Sequence, residues 1–175
     1  NDRNFESALS SYEKAIKLKP DYEEAYCNMG MSLNEKGDLE EAINSYQKTL
    51  EINPDHVGAY YNLGEVYGKM GKLNSAIVNY KKVIELDSAF WKAYNNLGLI
   101  YEEKGDLQPA IRVCQKAIDI EPNNPEAYNN LGVMYFKSKN YKKALETIQK
   151  AIKLNPKFAE AHNNLGHVFK EMKNY

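Results

Sequence analysis

The sequence predicts an all-α solenoid, a one-dimensional stack of antiparallel helix pairs. The first observation is a phrase resembling A-Y-x-N-L-G that recurs every 34 residues. The second is an alanine, and with one exception a proline, that recur at fixed places of the same 34-residue period. The third is a helical spacing of apolar residues in two stretches of each repeat. The glycines that end the phrase are Gly30, Gly64, Gly98, Gly132 and Gly166.

The repeat defines a register of 34 positions. Position 1 falls on Glu23, Val57, Trp91, Pro125 and Ala159. This register predicts the second helix of a truncated repeat at 1–22, complete repeats at 23–56, 57–90, 91–124 and 125–158, and the first helix of a truncated repeat at 159–175. Ten helices are expected. Because both ends fall inside a repeat, we expect the chain to be a window onto a longer solenoid.

The first helix of each repeat is predicted from positions 3, 4, 7, 8, 10, 11 and 14, which are apolar or small and occupy one arc of about 160°. Position 15 is glycine in three repeats and ends the helix with a left-handed residue: Gly37, Gly71 and Gly105. Lys139 replaces the glycine in the fourth repeat, and we expect Asn140 to take the left-handed turn there.

The second helix is predicted from apolar residues at positions 17, 20, 21, 24, 27, 28 and 30. Proline at position 32 stops it in most repeats, and Ser88 is the exception. Pro125, preceded by Asn124, fits a capped first turn. We expect Gly64 and Ala76 to face each other's helices at a close crossing, with large tyrosines filling the gaps beside them.

This pattern resembles the tetratricopeptide repeat (TPR) over the whole chain. The matching features are aromatic residues at positions 4 and 11, L-G at 7 and 8, alanine at 20 and proline at 32. The resemblance implies a right-handed superhelix, whose concave groove is lined by the first helix of each repeat. It also accounts for 14 tyrosines beside 5 phenylalanines, since tyrosine recurs at positions 4, 11 and 24.

Composition excludes several classes of function. With 23 basic and 24 acidic residues and no basic cluster, the chain lacks the charge that nucleic-acid binding needs. No stretch approaches the ~20 apolar residues of a membrane span, so we expect no direct membrane insertion. Two cysteines, Cys27 and Cys114, favour a reducing compartment, and we expect a cytoplasmic location.

The polar arc of the first helix consists of positions 2, 5, 6, 9, 12 and 13. Asparagines recur at two of these positions, 5 and 6. Asparagine is a mediocre helix former, but its amide carries a donor and an acceptor that match an extended peptide. A similar ladder of asparagines holds bound polypeptide in O-linked N-acetylglucosamine transferase. The alternative is that these amides bond only to each other or to water. Position 6 is Asn28, Asn62, Asn96, Asn130 and Asn164, and position 5 adds Asn95, Asn129 and Asn163.

The same arc carries apolar residues and an acidic excess. Tyr61, Leu99 and Phe136 are expected to form apolar spots between the amides. The six positions of the arc carry eight acidic residues and four lysines in total, which gives a net charge of about -4. The expected partner is a neutral to mildly basic protein or peptide.

Catalytic and metal-binding patterns are missing from the sequence. His162 and His167 are five residues apart and cannot chelate as an i, i+4 pair would. His162 takes the place of an aromatic residue and is expected to be packed, and His56 is expected to serve a turn. The lysines that family members use to hold a terminal carboxylate are also missing. We therefore expect no enzyme activity, no cofactor and no metal.

These observations predict a scaffold that binds an extended peptide segment of a partner in its concave groove. One alternative is a TPR arm that targets a larger enzyme, similar to O-linked N-acetylglucosamine transferase. Another is a self-assembling scaffold of a bacterial complex or organelle, like the magnetosome-associated member of the family. End-to-end self-association is expected from apolar residues at both ends, namely Phe5, Leu9, Tyr12, Leu165, Phe169 and Met172.

Overall fold

The computed structural model of the chain describes residues 2–173. Within these residues it contains ten α-helices and no strand, which confirms the predicted all-α class and the helix number. The helices are α1 Asp2–Leu18, α2 Glu23–Lys36, α3 Leu39–Ile52, α4 Val57–Lys69, α5 Leu73–Leu86, α6 Trp91–Glu103, α7 Leu107–Ile120, α8 Pro125–Lys137, α9 Tyr141–Leu154 and α10 Ala159–Met172.

The helices form two compact units that divide after Asp87. In unit 1, consecutive helices from α1 to α5 pack on one another, and the first helices α2 and α4 also touch. In unit 2, α6 to α10 follow the same order, with α8 in contact with both α6 and α10. Each unit is therefore a row of first helices backed by second helices.

A left-handed residue at position 15 follows four of the five first helices, whereas Lys173 at this position after α10 is right-handed, with φ -77°. The backbone φ angles are +95° at Gly37, +68° at Gly71 and +85° at Gly105. In the fourth repeat Lys139 itself takes this conformation, with φ +60°, and the expectation for Asn140 is wrong. Asn140 caps α9 instead, because its Oδ1 accepts a hydrogen bond from the Lys143 amide. In the fourth repeat the register position therefore outweighs the residue type, which disfavours this conformation.

The second helices α3, α5, α7 and α9 all end at position 30. The residue that follows is extended at both Asn53, with φ -128°, and Asp87, with φ -137°. A proline comes next after Asn53, whereas Ser88 follows Asp87. The helix therefore ends at this place without the proline.

Two first helices begin with a side-chain cap. Asn124 Oδ1 accepts hydrogen bonds from the amides of Glu126 at 2.9 Å and Ala127 at 3.1 Å, as its position before Pro125 predicts. At α4 the cap is His56, whose Nδ1 accepts from the Ala59 amide at 3.0 Å. The imidazole thus occupies the place that Ser, Thr, Asp or Asn usually takes.

In the four complete repeats the glycine at position 8 packs against the residue at position 24. A Cβ added to Gly64 would lie 2.7 Å from the Tyr80 ring, and one added to Gly30 would lie 2.6 Å from the Tyr46 ring. Gly64 therefore faces α5, as expected, and its contact there is the ring of Tyr80. In unit 2 the residues at position 24 are smaller: Cys114 faces Gly98, and Ile148 faces Gly132.

Candidate functional site

The face that carries the predicted site is formed by positions 6, 9, 12 and 13 of the first helices, and we call it the first-helix face. In unit 1 it belongs to α2 and α4, and in unit 2 to α6, α8 and α10. Asn28 is exposed, whereas Asn62, Asn96, Asn130 and Asn164 are half-buried. The position-6 amides are thus in reach of solvent while their helices are packed.

Position 5 differs from the prediction. Asn95 and Asn129 retain only 6% and 1% of their exposure, and Cys27 is buried as well. Position 5 points toward the first helix of the next repeat, a direction that the arc of one helix does not reveal. We had placed Asn95 and Asn129 on the polar arc. The structure corrects this placement and gives both amides a role in packing.

Amides at positions 5 and 6 join neighbouring first helices in unit 2. Asn130 Nδ2 donates to Asn95 Oδ1 at 3.1 Å, and Asn164 Nδ2 donates to Asn129 Oδ1 at 2.9 Å. Asn129 Nδ2 donates in turn to the carboxylate of Glu160 at 3.0 Å. The buried amide of Asn129 is therefore satisfied on both sides, as burial requires.

In Asn130 and Asn164 these bonds use the amide nitrogen and leave the amide oxygen without a hydrogen-bond partner among the described residues. Within the described residues no hydrogen bond is made to Oδ1 of Asn130 or Asn164. A carboxamide oxygen accepts up to two hydrogen bonds. The bridging bonds therefore hold the two amides in place, and the acceptor oxygens stay available to a ligand.

Unit 1 makes the corresponding contact with a thiol. Burial raises the pKa of Cys27, and the hydrogen bond with the Asn62 side chain partly offsets this rise. Cys27 is at position 5 and Asn62 at position 6 of the next repeat, as in the asparagine pairs of unit 2. The thiol is thus kept neutral, and it bonds an amide of the first-helix face.

Lysines at position 13 reach back to position 12 of the preceding first helix. Lys69 Nζ donates to Asn34 Oδ1 at 2.7 Å, and Lys137 pairs with the carboxylate of Glu102. Two of the lysines counted on the polar arc are therefore engaged with neighbouring repeats. Such solvent-facing pairs contribute at most about 1 kcal/mol each.

The three residues predicted to form apolar spots are all partly accessible to solvent. Leu99 is 39% exposed on α6. Tyr61 is half-buried and meets the Tyr80 ring edge-on, with centroids 5.8 Å apart. Phe136 is half-buried on α8, and its ring centroid lies 5.6 Å from that of Tyr141. Packing against a second-helix tyrosine holds the rings of Tyr61 and Phe136 in position.

A cavity of about 260 Å³ opens next to Phe136. It lies between α8 and α10, and its inner end is formed by α9. The sequence analysis did not predict this cavity, because it is formed by side chains of three helices together. One of them is Ile148, the smaller residue at position 24 of α9. The lining residues are Val133, Phe136, Lys137, Ile148, Asn164 and His167.

Other chemistry is not assembled in the part of the chain that the structure describes. No group of three His, Cys, Asp or Glu side chains there could hold a metal ion, and no helix has the length and apolarity to cross a bilayer. The expectation that His162 is packed is wrong. The side chain is exposed, and its Nε2 lies 3.0 Å from the Pro156 carbonyl oxygen.

Family models match the chain from end to end. A model of the TPR repeat matches residues 4–33, 30–71 and 69–105, and models of the tetratricopeptide repeat match 91–124, 125–158 and 147–175. The chain belongs to the tetratricopeptide repeat family. No curated protein matches the sequence of this TPR chain significantly.

Solved TPR structures resemble this TPR chain closely. A crystal structure of MamA is 28% identical, covers 91% of this chain and 93% of its own, and has a TM-score of 0.83. MamA from residue 41 to its end, from Desulfovibrio magneticus RS-1, is also 28% identical, with coverages of 89% and 88% and a TM-score of 0.82. YrrB, described as a TPR protein with an unusual peptide-binding site, is 27% identical, with coverages of 92% and 83% and a TM-score of 0.79.

The TPR fold is typically a non-catalytic module for interactions between proteins. The repeats of this chain and its TPR neighbours support the role of a protein-interaction scaffold. The partners that such a fold implies are proteins or peptides. The first-helix face, with its row of held amides, is the surface of this TPR chain on which we base a more specific proposal.

Proposed function

We propose that this protein is a non-enzymatic, cytoplasmic scaffold that binds an extended segment of a partner along the first-helix face. The observation that carries the proposal is the held pair of amides in unit 2. Asn130 and Asn164 are each fixed by a hydrogen bond to a buried asparagine, and their Oδ1 atoms accept none within the described residues. An extended peptide offers the N–H donors that these oxygens lack.

Spacing supports an extended ligand. Neighbouring packed helices lie about 10 Å apart, and an extended chain rises about 3.3 Å per residue. One amide of the row therefore meets about every third residue of the ligand. Each hydrogen bond contributes only about 0.5–1.5 kcal/mol, so affinity depends on several of them. In this proposal Asn96 belongs to the same row in unit 2, and Asn28 and Asn62 form the corresponding row of unit 1.

Apolar residues and charge define the partner further. Leu99 and Phe136 lie on the face between the amides and would receive apolar side chains of the ligand. Acidic side chains outnumber lysines at the polar positions of unit 2, and Lys137 is already paired with Glu102. The proposed segment is therefore neutral to mildly basic. Added salt should slow its association moderately, as expected for screened steering.

Removal of the amides tests this mechanism. Binders are selected from a randomised 12-residue peptide library and are then measured against the triple variant Asn96→Ala, Asn130→Ala, Asn164→Ala. We expect affinity to fall about tenfold or more, since two or three hydrogen bonds are lost. Asn44→Ala, an exposed change on the second helix α3, is the control and should leave affinity unchanged.

Two outcomes would count against the mechanism. Equal binding by the triple variant and the native chain would remove the amide row from it. A library that yields no binder to the native chain would reject peptide capture altogether. Circular dichroism of each variant shows whether the helices are retained, so that a loss of fold is not mistaken for a loss of contacts.

Self-association is a second candidate, favoured by exposed apolar residues on α10. Phe169 is 46% exposed and Met172 is 39% exposed. Contact between copies through this helix would bury both side chains. Light scattering over a range of protein concentrations should then show a rising mass, and Phe169→Glu should reduce it. A mass that stays monomeric at high concentration would reject this candidate.

A further inference from the structure

We propose that the cavity between α8 and α10 is a pocket for one aromatic side chain of the bound segment. This inference rests on the proposed function, because it names a specificity site on the same face. The cavity has a volume of about 260 Å³. Its wall joins Phe136 of α8, Ile148 of α9 and His167 of α10.

The inner end of the cavity is Ile148, at position 24. In α3 and α5 of unit 1 this position carries Tyr46 and Tyr80, whose rings lie against the position-8 glycines. Ile148 contacts Gly132 in the same way but has no ring beyond its branched chain. The isoleucine therefore supports the helix packing and leaves unfilled the space that a ring would take.

The neighbours of Tyr46 show where such a ring extends. Burial raises the pKa of Tyr46, the nearby Cys27 and Glu65 raise it further, and the Asn34 side chain partly offsets the rise. Asn34 is at position 12 of α2, and Glu65 is at position 9 of α4. The phenol of Tyr46 thus lies among residues at positions 12 and 9 of two consecutive first helices.

The cavity in unit 2 is lined at these same register positions. Phe136 is at position 12 of α8, and His167 is at position 9 of α10. The cavity therefore corresponds to the volume that the tyrosine ring occupies in the first hairpin of unit 1. Tyr46 thus shows that an aromatic ring fits at this position between the helices.

Size and lining agree with a single ring. A cavity of about 150 Å³ is large enough to bind benzene, so about 260 Å³ admits the side chain of phenylalanine or tyrosine. Val133, Phe136 and Ile148 provide apolar walls, and Phe136 can pair with the entering ring. Specific pockets commonly combine such walls with a few polar groups at the rim.

Asn164 connects the pocket to the amide row. It lines the cavity, and its Nδ2 is held by Asn129 Oδ1. A segment whose backbone N–H donates to Asn164 Oδ1 would therefore have a neighbouring side chain at the cavity mouth. Asn164 would thus both bind the backbone of the segment and line the pocket for its side chain.

The first test uses N-acetyl-phenylalanine methylamide as the probe and N-acetyl-alanine methylamide as its matched control. The readout is the amide chemical shifts of the native chain by NMR. We expect the aromatic compound to shift the signals of Val133, Phe136, Asn164 and His167 in a saturable way, and the alanine compound to leave them unchanged. Absence of a saturable shift at these residues would overturn the pocket.

The second test fills the pocket from within. Ile148→Tyr introduces the ring that α3 and α5 carry at this position, and we expect affinity for the aromatic probe to fall about tenfold or more. Gln149→Tyr places the same ring on an exposed position of α9 and should have no effect. Equal affinity of Ile148→Tyr and the native chain would overturn the pocket.

A second variant covers the case in which Ile148→Tyr does not fold. His167→Trp enlarges an exposed rim residue, which leaves the core untouched and should also weaken the probe about tenfold. Unchanged binding by this variant would count against the pocket.

Peptides selected from the library separate the pocket from the proposed function. Replacing their aromatic residue with alanine should cost the native chain about tenfold in affinity and should cost Ile148→Tyr little. If the peptides depend on the three asparagines but are indifferent to their aromatic residue, the pocket is rejected and the proposed function stands. If the probe binds in the cavity while peptides are unaffected by the asparagine changes, the proposed function fails instead.

Discussion

The two units differ in the side chains that pack between the first and second helices. In unit 1 the position-8 glycines lie against the rings of Tyr46 and Tyr80, whereas in the two complete repeats of unit 2 they lie against Cys114 and Ile148. Position 5 also differs, since Cys27 pairs with an amide in unit 1 and Asn95 and its repeat equivalent do so in unit 2. The backbone register is thus kept while the residues beneath the first-helix face change.

This difference shows that side chains of the second helices help to determine the shape of the first-helix face. Tyr46 fills the space behind the first-helix face of unit 1, whereas Ile148 leaves a cavity behind that of unit 2. A residue 16 positions after the glycine, on a helix that does not form the face, therefore decides how deep the face is.

The largest effect is expected at the position-8 glycine. Gly64→Ala would place a Cβ 2.7 Å from the buried Tyr80 ring, and overpacking of this kind typically costs about 1–3 kcal/mol. Urea unfolding followed by circular dichroism measures the loss.

Gly166 in α10 provides the matched control. No atom lies within 4 Å of a Cβ added to this glycine. Gly166→Ala should therefore stabilise the chain by up to about 1 kcal/mol, through helix propensity alone. If Gly64→Ala and Gly166→Ala had the same sign, the close contact at position 8 would not be the cause.

The buried amide at position 5 should give the next largest effect. Asn129→Ala removes the acceptor for Asn164 and leaves the Glu160 carboxylate without its amide donor, at a cost of about 1–3 kcal/mol. Asn163→Ala changes an exposed asparagine at the same register position of α10 and should stay within about 0.5 kcal/mol. Equal unfolding midpoints for the two variants would contradict the bridging role.

Alkaline pH should weaken the packing around Cys114. Burial raises the pKa of this thiol from 9.0 to about 12, so in the unfolded chain the thiol ionises first. The folded state then binds more protons between pH 9 and pH 12. Its stability should therefore fall by about 1.4 kcal/mol per pH unit in that window and be unaffected below it.

The variant Cys114→Ala isolates this contribution from the other groups that titrate at high pH. Urea unfolding at pH 8 and pH 10 should show a smaller drop for the variant than for the native chain. Cys27→Ala should change the drop less, because the Asn62 side chain opposes the rise in the pKa of Cys27. Identical drops in the native chain and Cys114→Ala would rule out this thiol as the cause.

The smallest effect is expected at position 15. Lys139 holds a left-handed conformation, with φ +60°, that costs a side-chain-bearing residue about 1–2 kcal/mol. Lys139→Gly should recover about 1 kcal/mol, because the greater freedom of glycine in the unfolded chain offsets part of the gain. Gly105→Lys should lose a similar amount, since Gly105 has φ +85°. Thermal unfolding of both variants gives the two shifts, and shifts of equal sign would contradict the prediction.

Much of the fold follows from local rules that operate within one hairpin. The 34-residue period and the apolar arcs predicted the helices, and the cap at Asn124 followed from its place before Pro125. Lys139 was the exception, since the preference of Asn140 for the left-handed region was overridden by the register of the hairpin. The preference of asparagine for the left-handed region is too weak to shift the turn from the position that helix packing determines.

The site was harder to predict because it depends on contacts between repeats. The arc of one helix separates its packed side from its polar side, but it does not show the neighbour that buries Asn95 and Asn129. The cavity beside Phe136 depends on side-chain volumes from α8, α9 and α10 together. A comparison of position 24 between repeats, with Tyr46 against Ile148, was the signal in the sequence that could have indicated it.

The amide bonds between first helices also bear on how unit 2 deforms. Each joins residues 35 apart at the same level of neighbouring helices, so splaying the helices at that level must break it. Rotation about these bonds leaves them intact, and the solvent-facing pair of Lys137 and Glu102 near the other end of the helices resists it only weakly. We therefore expect the ends of the first helices in unit 2 to separate more readily than the segments that these amides join.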